Sequence, residues 1–226
     1  MVRPTRRQQM PQLQDAIKET AWRQIAETGA AALSLRSIAR ELGITAPAIY
    51  NYFADRDALV TALIVDAYTS LGESQLSAIA ALPETDLKSR FKALGLAYRE
   101  WAITYPQRYQ LIFGTPIPNY VAPDDITFPA AANAIVPLAT TIQALYSSGQ
   151  LRTERLAPMT PSLKSMLEAW QKTEPADLEV LHLTIVVWSR VHGLVMLEIG
   201  NHTPPVIADM GEIFRREIET MLLQYL

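Results

Sequence analysis

The residues from Ser34 to Phe53, SLRSIARELGITAPAIYNYF, constrain the fold of this chain more than any other stretch. Leu35, Ile38, Ala39 and Leu42 fall on one face at helical spacing, and Ser34 stands where an N-cap belongs. Gly43 follows the last periodic residue, where the chain needs a left-handed turn that glycine makes without steric cost. Thr45 can cap a second short helix, with Pro47 in its first turn, where a missing N–H does no harm. That helix is expected to bury Ile49 and Tyr52 and to turn Thr45, Ala46, Pro47, Tyr50 and Asn51 outward. Two short helices joined in this way predict a helix-turn-helix, whose second helix would enter a DNA major groove.

The run from Ile44 to Leu59, ITAPAIYNYFADRDAL, also resembles the recognition helix and following helix start of the TetR family of one-component transcriptional regulators. The matching positions are Ile49, Tyr50, Asn51, Tyr52 and Phe53, then Asp55, Arg56 and Asp57, and the resemblance covers about residues 15–65. Ala46-Pro47-Ala48 stands where the family commonly has a lysine. Further on, Trp188-x-x-x-His192-Gly193-Leu194 is similar to a tryptophan–histidine–glycine signature in the C-terminal domain of one branch of that family. The run from Phe113 to Pro123 resembles the same branch. The resemblance implies a dimer with an inducer cavity in the body of each subunit.

The net charge of −3 is unequally shared. Residues 1–56 hold eight Lys/Arg and five Asp/Glu, a balance of +3, which leaves −6 for the remainder. A basic head on an acidic body orients a chain toward a polyanion. There is no cysteine, so disulfides and thiolate metal sites are excluded. The start, MVRPTRRQQMPQ, is basic without the apolar stretch of a signal peptide, and no uninterrupted apolar run approaches a membrane span. The expectation is a cytoplasmic protein without a membrane segment.

Along the chain, residues 1–11 are expected to be a disordered basic tail and 12–58 a three-helix DNA-binding head. Residues 59–226 would form a ligand-binding and dimerisation body. The first helix should run from Gln12 to Thr28, placing Leu13, Ile17, Ala21 and Ile25 toward a small core. A helix capped by Asp55 should link head to body, and Pro106 should interrupt the next one after Tyr105. The proline-rich segment from Gly114 to Pro129 reads as loop, and Ala130 to Ser147 as helix with a kink at Pro137. Helices are expected from Ser162 to Lys172, Pro175 to Gly200 and Val206 to Leu226. The fold class is all-α.

The penultimate helix is apolar on most sides, so it must be buried on most sides. Two such helices from each of two chains would make a four-helix homodimer interface, and Ile185, Ser189, Gly193 and Met196 are expected there with Ile213, Phe214 and Met221. Gly193 costs about 1 kcal/mol against alanine in a helix interior, so close approach of a partner helix is expected to compensate it.

Serine-nucleophile motifs, phosphate-binding glycine loops and dinucleotide fingerprints are absent from the sequence, and no metal or cofactor site is expected. His182 and His192 lie on different helix faces. The aromatic stripe Tyr98, Trp101, Tyr105, Tyr109 and Phe113, with Tyr146, Trp188 and His192, would suit an apolar cavity with a few polar handles. At the DNA, Thr45 and Asn51 would reach base edges, and Pro47 and Ala48 would meet thymine methyls. Tyr50 and Tyr52 would hold the backbone, Arg36 would also meet the DNA, Arg56 would hold phosphates, and the tail residues Arg3, Arg6 and Arg7 would act on phosphates or the minor groove. The expected protein is a repressor released from a palindromic operator by a largely apolar small molecule. A ligand-independent architectural DNA binder is the alternative, and an enzyme or carrier borrowing the head a third class.

Overall fold

The computed structural model describes residues 6–171 and 176–226, with side chains of the first helix from Gln12 onward. Ten α-helices follow one another, and no strand occurs among the described residues. They are α1 (Arg6–Thr28), α2 (Leu35–Glu41), α3 (Ala46–Ile49), α4 (Arg56–Ala80) and α5 (Leu87–Thr104). Then come α6 (Pro106–Phe113), α7 (Asp124–Ser147), α8 (Pro161–Gln171), α9 (Leu178–Ile199) and α10 (Met210–Tyr225).

Packing divides the chain into two compact units, Met1–Thr69 with Tyr105–Ala131, and Ser70–Thr104 with Ala132–Leu226. The expected boundary after residue 58 thus falls inside α4, and α6 joins the head unit. Its Arg108 guanidinium lies 5.3 Å from the ring centre of Trp22 on α1 and 4.5 Å from that of Tyr105. Ile17, Ala21, Trp22 and Ile25 fill the inner side of α1 and are buried with Ile38, Ile49, Phe53, Leu59 and Leu63.

Several helix starts differ from expectation: α9 begins at Leu178 rather than Pro175 and α10 at Met210 rather than Val206. α1 begins at Arg6 rather than Gln12, since Arg, Gln and Met are good helix formers. Arg3 and the side chains of Arg6 and Arg7 lie outside the described residues. α7 begins at Asp124, so the run DDITFP, residues 124–129, is helical rather than loop. Asp124 and Asp125 occupy its first turn, favoured by the helix dipole, and Thr127 ties its hydroxyl to the Pro123 carbonyl at 3.0 Å. Pro129 removes only the partner of the Asp125 carbonyl, and Asp125 is exposed to water.

In the second unit Pro137 stays inside α7, so it cannot donate to the carbonyl of Asn133, four residues back. That carbonyl meets Gly72, where a Cβ would lie 2.7 Å from its oxygen. The buried Gln75, nearly one turn further along α4, donates to the carbonyl of Ala134 at 2.7 Å. Gly95 of α5 is another close approach, with the place of its absent Cβ taken up by Cδ1 of Ile218 on α10. α7 and α9 are long and apolar enough to cross a membrane, although 39% of the apolar stretch of each is buried within the chain.

Candidate nucleic-acid interface and ligand pocket

The helix-turn-helix is built from local bonds that the sequence supplies. Ser34 caps α2 by accepting from the Ser37 N–H at 3.4 Å, and Gly43 turns the chain at φ 65°. Gln24 of α1 donates to Ser37 Oγ at 3.1 Å and to Glu41 at 3.2 Å, while Arg23 pairs with Glu41 at 2.8 Å. Arg23, followed by Gln24, holds the Glu41 carboxyl below the usual carboxylate range. Asp55 caps α4 through the Ala58 N–H at 2.7 Å.

α3 is a single turn, shorter than expected, and ends at Ile49. The chain winds on through Tyr52 N to Ile49 O (3.0 Å) and Phe53 N to Ile49 O (3.1 Å). Ile49 is fully buried; Thr45, Ala46, Pro47, Tyr50 and Asn51 are exposed, and Ala48 and Tyr52 half-buried. Tyr52 therefore faces inward less completely than expected. Thr45 makes no side-chain capping bond, so its exposed hydroxyl is not tied to the α3 backbone. Arg36 is exposed on α2. Arg56 is committed differently: its guanidinium donates to the carbonyls of Ala30 (3.0 Å) and Ala31 (3.3 Å) and pairs with Asp57 at 3.4 Å. It clamps the 3₁₀ turn after α1, so any phosphate must share it with those acceptors.

The expected aromatic stripe is split between the units, because α5 stops at Thr104 and α6 starts at Pro106. Tyr105, Tyr109 and Phe113 belong to the first unit, where Phe113 packs at 5.0 Å on Tyr109 and edge-on at 5.8 Å on Tyr68. Tyr98, Trp101, Trp188 and His192 belong to the second, as does Tyr146, half-buried on α7. Trp101 donates to Ser70 at 3.0 Å.

Trp188 Nε1 donates to the Tyr98 hydroxyl at 3.3 Å, and that hydroxyl lies 3.0 Å from His192 Nδ1. Burial lowers the His192 pKa and keeps its ring neutral. A proton order running from Trp188 Nε1 to the Tyr98 hydroxyl to His192 Nδ1, with the ring proton on Nε2, fits both contacts. Trp188 and His192 pack at 5.2 Å, so the tryptophan and histidine of the signature act together while its Gly193 faces out. Tyr98 and Trp188 line a mostly apolar cavity with Phe91, Leu94, Val187 and Gln75, the polar group that sequence reading missed. Its volume is 20 Å³, room for about one water.

The expected dimer residues also separate. Ile185, Ser189 and Gly193 recur at four-residue steps on an exposed face of α9 that Leu197 continues. Nothing in the chain lies within 4 Å of a Cβ placed at Gly193. Met196 is half-buried and Ile213 exposed. Phe214 (1% exposed) and Met221 (0%) are corrections: they lie on the inner stripe of α10 with Met210, Ile218 and Tyr225, within the chain's own core. Leu223, 76% exposed, is the outward residue that the sequence reading left out.

A braced helix-turn-helix with an outward polar and aromatic surface defines a DNA-binding protein. Residues 17–63 match the family model for bacterial regulatory proteins of the tetR family, and 91–221 that for a tetracyclin repressor-like C-terminal domain. The chain is 34% identical over 220 residues to the HTH-type transcriptional regulator Rv1816 of Mycobacterium tuberculosis, covering 96% of this chain and 93% of that one. The crystal structure of SCO4313, described as a regulatory protein, is similar at a TM-score of 0.80 and 35% identity, covering 97% of this chain and 99% of that one. A TetR variant from Acinetobacter baumannii AYE in complex with minocycline shares the fold at 0.53 and 16% identity over 92% of each chain. The chain belongs to the TetR family. It is a DNA-binding transcriptional regulator and not an enzyme, in a family whose members act as dimers on operator DNA and bind small molecules.

Proposed function

We propose that this regulator is a homodimeric repressor, acting in the cytoplasm, that binds a palindromic operator and is released by a largely apolar small molecule. The observation that carries the reading is the hydrogen-bonded chain of Trp188, Tyr98 and His192, of which Trp188 and Tyr98 line an apolar cavity. Polar groups converging on apolar walls suit a ligand held by few directed bonds. The cavity is nearly closed at 20 Å³, so an effector must displace side chains to enter, and the closed state would be the DNA-binding one. That small volume also favours the second reading, a ligand-independent architectural DNA binder.

Exposed Thr45, Pro47, Tyr50 and Asn51 would read or hold each half-site, with Ala48 and Tyr52 beside them. The exposed apolar face of α9 supports pairing of two chains and hence a two-fold operator. The test is operator selection from random duplexes, followed by binding of the Tyr50→Ala/Asn51→Ala double variant. A palindrome should emerge, and the double variant should lose roughly 1–3 kcal/mol per half-site without loss of helix. An asymmetric site, or undiminished affinity, would overturn the assignment.

A further inference from the structure

Between Leu42 and Ala54 the chain carries no Asp, Glu, Lys, Arg or His, so the surface that α3 turns outward is uncharged. Thr45, Ala46, Pro47, Tyr50 and Asn51 are exposed there, and Ala48 is half-buried. Guanine offers two acceptors to the major groove, O6 and N7, which the fork of an arginine or a lysine meets. Cytosine offers an N4 amino donor, which a carboxylate meets. α3 has neither kind of group. Adenine sets its N7 acceptor beside an N6 donor, a pattern that the donor and acceptor of the Asn51 amide match. Thymine adds a methyl group, and Ala46, Pro47 and Ala48 offer it apolar contact. Pro47 has no N–H, so a G·C pair set against it would keep polar base edges dry and unpaired.

The cations of the head are placed elsewhere. Lys18 pairs with Asp66 at 2.8 Å, Arg23 with Glu41 at 2.8 Å, and Arg56 with Asp57 and two backbone carbonyls. Arg36 and Arg40 are exposed on α2, four residues apart and hence on one face, and neither joins an ion pair among the described residues. The Arg40 carbonyl accepts from the Gly43 N–H at 3.2 Å, so this residue stands where α2 enters the turn. In a docked helix-turn-helix the first helix crosses the sugar–phosphate backbone while the second meets the bases. The unpaired cations therefore sit on the helix that meets phosphate, and the helix that meets bases has none.

We propose that the base pairs facing α3 in each half-site are A·T, with one adenine read by the Asn51 amide and thymine methyls packed on Ala46, Pro47 and Ala48, and that Arg40 anchors a phosphate beside Arg36 on α2. Any guanine in the operator is left to the arginines of α2, outside the pairs that α3 covers. Thr45 does not set the base, because its hydroxyl both donates and accepts. The inference rests on the operator reading above and names the base content of that operator.

The test starts from duplexes selected out of a random pool by the unaltered protein. Each selected half-site should hold a run of A·T pairs, and selection with Asn51→Ala should lose the preference for adenine at one of them. Exchanging a pair of that run for G·C should weaken binding roughly 5–150-fold. Uracil in place of thymine removes only the methyl groups and should weaken binding roughly fourfold for each one that was covered. Both exchanges use the unaltered protein, so neither depends on a variant that folds. Arg40→Gln should weaken the A·T and G·C duplexes alike and lower the slope of log affinity against log salt by about 2, one phosphate per subunit of a dimer. Asn51→Ala should leave that slope unchanged. A selected G·C run at the pair sensitive to Asn51→Ala, or equal affinity for the thymine and uracil duplexes, would overturn the reading by α3. An unchanged salt slope in Arg40→Gln would overturn the anchor on α2. An asymmetric site with the A·T run would sink the palindrome and leave this inference standing, whereas a pool that yields no preferred sequence would overturn both.

Discussion

His192 is a neutral imidazole by construction. Burial is the cause of its lowered pKa, while its Nδ1 lies 3.0 Å from the Tyr98 hydroxyl. The sign of the consequence is fixed by linkage. Above its ordinary pKa of 6.5 the ring is neutral both folded and unfolded, and the folded state bears no cost from it. As pH falls below 6.5 the unfolded chain takes up a proton that the folded ring resists, so stability declines toward the lowered folded pKa. Urea unfolding midpoints should therefore drop on acidification through this window, and His192→Gln should flatten the drop. An identical pH profile in the variant would show that the ring is not held neutral. Arg56 makes a different point at the same scale, because its side chain supports the turn after α1 as well as lying near the expected DNA surface.

At the scale of elements, α9 and α10 each carry an inner and an outer apolar face. Gly193→Leu adds a side chain where the chain itself offers no contact within 4 Å, so its own fold should tolerate it. In the proposed dimer it should overpack the paired helices by about 1–3 kcal/mol per site, and sedimentation should show monomers. Phe214→Ala, on the inner stripe, should instead lower folding stability by about 3–5 kcal/mol. A Gly193→Leu protein that remains a tight dimer would move the interface elsewhere. Much of this layer was legible beforehand where one residue dictates local geometry: the Ser34 cap, the Gly43 turn, the Asp55 cap and the inner stripe of α1. What escaped depends on distant partners. The aromatic period runs unbroken across Pro106, yet its two halves belong to different units. Periodicity alone could not tell the inner residues Phe214 and Met221 from the outer Ile213 and Leu223. Gly72 and Gly95 earn their glycines from Asn133 and Ile218, far along the chain. The prolines up to Pro129 argued for loop, whereas Asp124 and Asp125 open α7 and Pro129 forfeits only one bond near its start.

For the whole molecule, the central claim is that a small molecule and operator DNA compete through the conformation of one chain. α4 and α7 each run from one unit into the other, so the head and the body share two continuous helices. Coupling of ordinary size, about 1–3 kcal/mol, corresponds to a roughly 5–150-fold loss of DNA affinity when effector is bound. Thermodynamic reciprocity then requires operator DNA to weaken effector binding by the same factor. The direct measurement takes an effector found by thermal-shift screening of neutral compounds and determines its affinity for the dimer with and without the selected operator, at fixed salt. The account predicts a loss of affinity on the operator that matches, within error, the operator's own loss in the presence of effector. Equal effector affinity with and without DNA would contradict it and leave the architectural DNA binder as the reading that stands.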